Sequence, residues 1–233
     1  MKNLSIITIT YNNSKEFSLT YNNLKPFRKA GGTHIIINGG DSIKIKINNS
    51  KLIEEPDAGI YDAINKGIKL VTTDYFMIIH SGDELIGDLK KLKFILNQME
   101  KYNLDLSLNN CFINNTYLKR FIKSDNWNPW MLKVGVQPPH PPSIYKSTTF
   151  QNNYYDISIP VISDFKCFEE IFAKKIKFKK HKAMLVRMSP GGKTSGGWKS
   201  FFYVSIQFIK YKGLSKGILF FLFRPILKNL QRF

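Results

Sequence analysis

A chain of 233 residues is large enough to bury the core of one α/β domain with an appendage, and its 43% hydrophobic and 14% aromatic content excludes a disordered chain. Cys111 and Cys167 are far apart and form no CxxC pattern, which argues against structural disulfides and zinc sites and fits a reducing compartment. The formal charge is +18, and from Phe165 onward 16 Lys/Arg face only 2 Asp/Glu, so a basic end follows a near-balanced body and an anionic partner, nucleic acid or a membrane surface, is expected there.

The first residues, "MKNLSIITITYNN", lack the apolar core and small-residue cleavage site of a secretory signal and read as a first strand closed by Tyr11-Asn12-Asn13. Asn13 and Glu16 have the spacing of a capping box, opening a helix with Phe17, Tyr21 and Leu24 on one face up to Pro26. "THIIING" is a second strand, and "KLIEE" a short third one closed by Pro56. "DAGIYDAINKGIKLV" spaces Ile60, Ile64, Ile68 and Val71 as a helix, and "DYFMIIH" is a fourth strand. This alternation implies a mostly parallel, Rossmann-like sheet flanked by helices.

Further on, Lys90 to Tyr102 is expected to be helical, and residues 103 to 160 read as strands and long loops. "VISDFKCFEEIFAKK" is a helix, and "IKFKKHKAMLVRM" a strand pair or an edge strand. "SPGGKTSGG" suits either a mobile loop whose Lys193 closes over phosphates or a linker. In the basic, aromatic tail the longest uncharged run, Gly217 to Phe223, is far short of a membrane span. Basic residues flanking Phe and Leu suit a helix lying in a bilayer interface, and equally one packed on the core or on a partner.

No GxGxxG follows the first strand and no GxxxxGK[ST] is present. Instead "TITYNN", "IIINGGDS", "EPDAGIYDAINKG" and "FMIIHSGDEL" each fall just after a strand, so all four converge on the carboxyl edge of the sheet, where open α/β proteins bind ligands.

In this order and spacing the four segments resemble the nucleotide-sugar half of family 2 glycosyltransferases, inverting enzymes of the GT-A fold. The most specific part is "EPDxGIYDAxNKG", carried from Glu55 to Gly67 and typical of a bacterial subgroup. The likeness covers about residues 3 to 86 and resumes at "HPPSIYKSTTF" and "ISDF".

It implies a GT-A domain over 1–200, with a nucleotide-sugar half at 1–86 and an acceptor half at 103–190; the composition of 201–233 adds the expectation of an amphipathic, membrane-associating tail. On the donor side it implies Thr10, Tyr11, Asn38, Asp57, Tyr61, Asp62 and Asn65, and on the acceptor or diphosphate side His140; the glycine-rich loop, not the resemblance, adds Lys193 there if that loop closes over phosphates. Asp83 matches the last acid of the family's metal motif, so Mn²⁺ or Mg²⁺ is the implied cofactor, held with the diphosphate oxygens. Asp164 matches the general base of a single-displacement transfer, and it is equally placed to cap the helix that follows. The sequence departs from the pattern at Asn38, where the family has an acid, and at His80, which stands where Asn or Asp opens the metal motif. His80 is therefore either a second metal ligand or a hydrogen-bonding neighbour.

The expected activity is transfer of a sugar from a nucleoside diphosphate, UDP foremost, to a hydroxyl of a lipid-linked or saccharide acceptor. The expected setting is the cytoplasmic face of a bacterial plasma membrane, in O-antigen, capsule or lipopolysaccharide synthesis. A sugar-nucleotide hydrolase or nucleotidyltransferase would use the same fold. A basic nucleic-acid-binding module would explain the tail but not the order of the cleft segments.

Overall fold

A computed structural model describes residues 1–115, 118–150, 154–190 and 197–230. Strand β1 (Leu4–Thr10) is buried along its whole length, as a central parallel strand covered on both faces must be. It pairs in parallel with β2 (Thr33–Asn38) on one side and β4 (Tyr75–Ile78) on the other, and β2 pairs in parallel with β3 (Lys51–Glu54). The order β3-β2-β1-β4 is Rossmann-like, and the chain reverses its direction of winding between β1 and β4. That switch point opens a crevice at the strand ends.

Helices α1 (Ser14–Asn23) and α2 (Lys25–Lys29) connect β1 to β2. Pro26 lies in the first turn of α2, where its missing N–H costs nothing, and so separates two helices rather than ending one. Asn13 precedes α1, yet its side chain makes no capping bond to the helix. Its amide oxygen instead accepts from the hydroxyls of Thr10 and Ser81, so the expected capping box is replaced by a cross-link between the ends of β1 and β4.

Helix α3 (Ile60–Lys69) returns the chain across the sheet to β4. Tyr61, Ala63, Ile64 and Ile68 are buried against Ile7, Ile37, Phe76 and Ile78, whereas Ile60, expected inward, is exposed. The opposite face packs Leu4, Ile6, Met77 and Ile79 against α4 (Leu89–Lys101), as period-two alternation along each strand requires.

Past β4 the sheet becomes mixed. Strand β8 (Ile144–Lys146) is antiparallel to β4 and to β6 (Leu106–Asn115), and β6 runs parallel to β9 (Phe178–Met188). β9 pairs antiparallel with β5 (Glu84–Leu85) and is a single strand interior to the sheet, rather than the expected strand pair or edge strand. β7 (Leu118–Ile122) forms a hairpin with β6.

Helix α5 (Ser163–Ala173) packs Phe165, Cys167, Phe168 and Ile171 on the face that carries α3. The C-terminal segment folds as two helices, α6 (Gly197–Lys212) and α7 (Leu214–Leu230). They join the core through Val204, Phe208 and Phe220, with the Phe208 and Phe220 rings stacked 4.1 Å apart and Phe165 edge-on to Phe208 at 5.1 Å. The expected boundary between residues 200 and 201 falls inside α6. Among the described residues, no helix is long and apolar enough to cross a membrane.

Candidate active site

The crevice at the switch point is a cleft of about 1250 Å³. One wall comes from the end of β1. The parallel ladder continues past β4, with the N–H groups of Ile79 and Ser81 donating to the carbonyls of Ile7 and Ile9, so His80 lies beside Ile9 and Ser81 beside Thr10. Tyr11 follows with 64% of its surface exposed at the cleft, an aromatic ring left uncovered where a base could stack.

Asp57 lies directly over Gly39, where a Cβ would come within 1.7 Å of the carboxylate, so only glycine lets the acid take this position. Its Oδ1 accepts from the Gly59 N–H at 2.9 Å, which leaves the carboxylate at the cleft rim. Not every polar residue of "EPDAGIYDAINKG" faces inward, because the rotation of α3 divides them. Asp62 accepts from the Ala58 N–H at 3.0 Å and pairs with Lys66, outside the cleft lining. Asn65 is buried behind the wall, where its side chain makes two hydrogen bonds to the Tyr155 backbone, at 2.8 and 2.9 Å. Asn38 is also buried off the cleft, donating to Glu54 and to the Asp41 carbonyl and thereby folding the loop after β2. Tyr61 does line the cleft, and its hydroxyl reaches Asp164 Oδ1 at 3.0 Å.

Asp83 ends the turn after β4. Gly82, with φ +93°, makes that turn and sits so near Ser189 that a side chain would collide with its hydroxyl. The Asp83 carboxylate is 4% exposed and lines the cleft, with Oδ1 accepting from the Ser189 N–H at 2.8 Å. Burial pushes its carboxyl up to about 7, although the Ser189 hydrogen bonds pull the other way. His80 has a buried Nδ1 with no hydrogen-bond partner among the described residues, and burial, with His140 beside it, holds its ring down to about 4. Among the described residues no cluster of three or more His, Cys, Asp or Glu could hold a cation by itself. Asp83 and the orphaned His80 nitrogen therefore suit a hard cation only if a ligand such as a diphosphate brings further oxygens.

Asp164 lies in the first turn of α5 rather than at its N-cap, which is Ile162. Its Oδ1 accepts from the Tyr61 hydroxyl and from the Phe165 N–H, and its Oδ2 from the Gln137 side chain. His140 is buried, with the Tyr155 hydroxyl 2.8 Å from Nε2 and the Tyr145 hydroxyl 3.3 Å from Nδ1. Burial lowers its basicity against the pull of Asp164, so it is a neutral ring stacked on Tyr155. Lys193 lies outside the described residues.

The cleft thus joins Thr10, Tyr11, Asp57, Tyr61, His80, Asp83, His140 and Asp164. It also takes in Gln137, Arg120 and the aromatic pair Phe208 and Phe220, none of which the sequence marked as site residues. Gln137 directly precedes the "PPHPP" run and could have been noticed there; Arg120 carries no periodic or motif signal.

No protein-family model matches the chain, and no curated protein matches its sequence. Solved structures do match. S. aureus TarS (residues 1–349) in complex with UDP aligns with a TM-score of 0.67 at 14% identity, covering 96% of this chain and 71% of that one. The same protein with UDP-GlcNAc gives a TM-score of 0.67 at 14% identity over 96% and 72%. The mannosyltransferase PcManGT from Pyrobaculum calidifontis, in complex with GDP-Man and Mn²⁺, gives 0.61 at 11% identity over 97% and 68%. These similarities establish the mixed α/β fold with its helix-flanked sheet.

Proposed function

We propose that the protein is an inverting, metal-assisted glycosyltransferase of family 2 that moves a sugar from a nucleoside diphosphate, UDP foremost, to an acceptor hydroxyl. One observation carries this reading: Asp164, from the second half of the chain, meets Thr10, Tyr11, Asp57 and Asp83 in a single cleft and is held there by Tyr61 of the "EPDAGIYDAINKG" motif. The fold shared with proteins solved with UDP, UDP-GlcNAc and GDP-Man supports it.

Tyr11 and Asp57 flank the nucleoside. A divalent cation bound with the diphosphate at Asp83, with His80 near it, would offset the charge that builds on the leaving group. Asp164 accepts the proton of the acceptor hydroxyl as that oxygen bonds to the anomeric carbon. The bond from that carbon to the diphosphate oxygen breaks, and its electron pair leaves with the nucleoside diphosphate. Tyr61 and Gln137 hold the two oxygens of the Asp164 carboxylate and so aim it. His140, saturated by two tyrosine hydroxyls, shapes the acceptor side as a neutral ring.

The acceptor is lipid-linked or a saccharide presented at an anionic membrane, in bacterial surface-polysaccharide assembly. What supports this is the outer face of α6 and α7, which exposes Phe202, Tyr203, Ile206, Leu214, Ile218, Leu222, Phe223 and Ile226. Those helices carry six Lys/Arg and no Asp/Glu, a composition suited to an anionic bilayer surface. Val204, Phe208 and Phe220 from the same helices line the cleft, so a docked hairpin brings the lipid surface to the acceptor side.

The test is a melting-temperature series with UDP, GDP and CDP, each with and without Mn²⁺, on the wild type and Asp83→Ala. A ligand that binds only the folded state raises the transition. UDP stabilisation that needs Mn²⁺ and disappears in Asp83→Ala is expected. A folded protein that responds to no nucleotide would overturn the reading. Product analysis with a responding UDP-sugar then separates transfer from hydrolysis.

A further inference from the structure

The cleft is lined by four carboxylates, those of Glu16, Asp57, Asp83 and Asp164. Against them stands one cation: among the described residues Arg120 is the sole Lys or Arg in the lining. The other arginines with described side chains, Arg28 and Arg187, are occupied. Arg187 is paired with Glu84, and Arg28 lies over the Tyr21 ring while donating to the Tyr21 carbonyl. Arg120 has no carboxylate, carbonyl or ring partner among the described residues, although it is only half-exposed and lies in a cleft rich in acids. An arginine left unpaired there is a donor set without an acceptor.

Its position on β7 gives the direction. Strand pairing sets Ile122 opposite Cys111 and Arg120 opposite Ile113, and all four line the cleft, so one face of the β6–β7 hairpin forms this wall. The Cys111 thiol feels the charge of Asp83. Arg120 is therefore two residues, roughly 7 Å at strand rise, further out along the wall than the point beside Asp83. A guanidinium side chain spans that distance.

We infer that Arg120 binds a phosphoryl group in the cleft, through the two-pronged hydrogen bonding that guanidinium and phosphate favour. The inference rests on the reading of the cleft as a nucleotide-sugar site. The group has two sources with the same chemistry: the diphosphate of the donor, or a phosphate carried by the acceptor.

The test uses the full chain and compares wild type, Arg120→Ala and Arg120→Lys by calorimetric titration, in the presence of Mn²⁺, with uridine, UDP and inorganic pyrophosphate. The same three proteins, saturated with UDP, are then titrated with inorganic phosphate. Because the Arg120 side chain has no partner among the described residues to lose, the variants should melt without ligand at the wild-type temperature, which checks their folding. A donor-phosphoryl role predicts at least tenfold weaker UDP and pyrophosphate binding in Arg120→Ala, unchanged uridine binding and partial recovery in Arg120→Lys. An acceptor-phosphoryl role predicts unchanged UDP binding and loss of phosphate binding to the UDP-saturated protein. Equal affinities of wild type and Arg120→Ala for UDP, pyrophosphate and phosphate overturn the inference. Pyrophosphate binding that depends on Arg120 in a protein indifferent to UDP would count against the nucleotide-sugar reading alone.

Discussion

The hydroxyl of Tyr61 lies 3.0 Å from Oδ1 of Asp164, a residue 103 positions later in the chain. The same hydroxyl is 3.0 Å from the Val161 carbonyl, so one tyrosine of α3 fixes both the entry to α5 and the carboxylate in its first turn. Burial and the Asp164 charge raise the Tyr61 phenol far above its ordinary value, so it remains a neutral donor at every working pH. Tyr61→Phe should lower kcat about tenfold while leaving UDP affinity within twofold, since a hydrogen bond to a charged group contributes roughly 1.5–3 kcal/mol. Asp164→Asn should lower kcat by a factor of roughly 10² or more, the range of general-base removal. Steady-state kinetics beside UDP titrations check both, and unchanged kcat in Asp164→Asn would remove it from the mechanism.

Asp83 places function and stability in opposition. Its folded value of about 7 exceeds the ordinary 3.8, so the stability linked to its proton is present below pH 4 and is lost as pH rises through 7. At pH 8, without metal, the buried carboxylate is a cost. Asp83→Asn should therefore raise the melting temperature at pH 8 by several degrees, at roughly 2–4 °C per kcal/mol for a domain of this size, and should abolish Mn²⁺-dependent stabilisation by UDP. Calorimetry at pH 5 and pH 8 measures both effects; a lower melting temperature in Asp83→Asn at pH 8 would contradict the burial argument.

His34 is a second buried ionisable group, far from the cleft. It is 1% exposed on β2 and hydrogen-bonds Thr8 and Arg28. Burial first, then the Arg28 charge, lowers it from 6.5 to about 3. The unfolded chain takes up a proton that the folded one refuses, so stability is full above pH 6.5 and falls as pH drops towards 3, by at most about 1.4 kcal/mol per pH unit. His34→Gln should flatten part of that slope in urea unfolding followed from pH 7 to pH 4. An identical slope in the variant would assign the acid loss to other groups.

The two faces of the C-terminal hairpin should respond differently. Phe208 is 1% exposed between Phe165 and Phe220, and Phe208→Ala should cost about 3–5 kcal/mol. Leu222 and Ile226 are 56% and 60% exposed, so replacing both with Ser should change stability by less than about 1 kcal/mol. The same double variant should reduce sedimentation with anionic vesicles severalfold. Vesicle binding equal to wild type would remove the membrane from the proposal.

Within "EPDAGIYDAINKG", Asp57→Ala and Asn65→Ala should fail in opposite ways. Asn65→Ala leaves both the N–H and the carbonyl of Tyr155 buried and unpaired, a loss of about 2–4 kcal/mol, with nucleotide affinity retained in the folded fraction. Asp57→Ala, at the cleft rim, should weaken UDP with little change in melting temperature. Thermal scans paired with nucleotide titrations distinguish the two.

The sequence by itself determined the alternation of strands and helices over residues 1 to 83, because burial on both faces demands continuous apolar runs and a crossover helix demands a 3.6-residue period. It also determined that polar segments gather at the strand ends, since strand direction is set once the sheet is parallel. Only the tertiary structure decided which polar residues of one motif look inward. The rotation of α3 turns Tyr61 to the cleft and Asn65 to the Tyr155 backbone, and a stretch of helix with polar groups on several faces does not encode that choice. Gln137 and Arg120 reach the cleft through a loop and a hairpin that carry no periodic signal, so long-range pairing alone brings them in. The tail, too, was settled by packing. Its alternation of aromatic and basic residues suits a core contact or an open surface, and the structure uses Phe208 and Phe220 for the first while leaving Leu222 and Ile226 for the second, because only one side of each helix meets the body of the fold, at Phe165 of α5 and at Gly135.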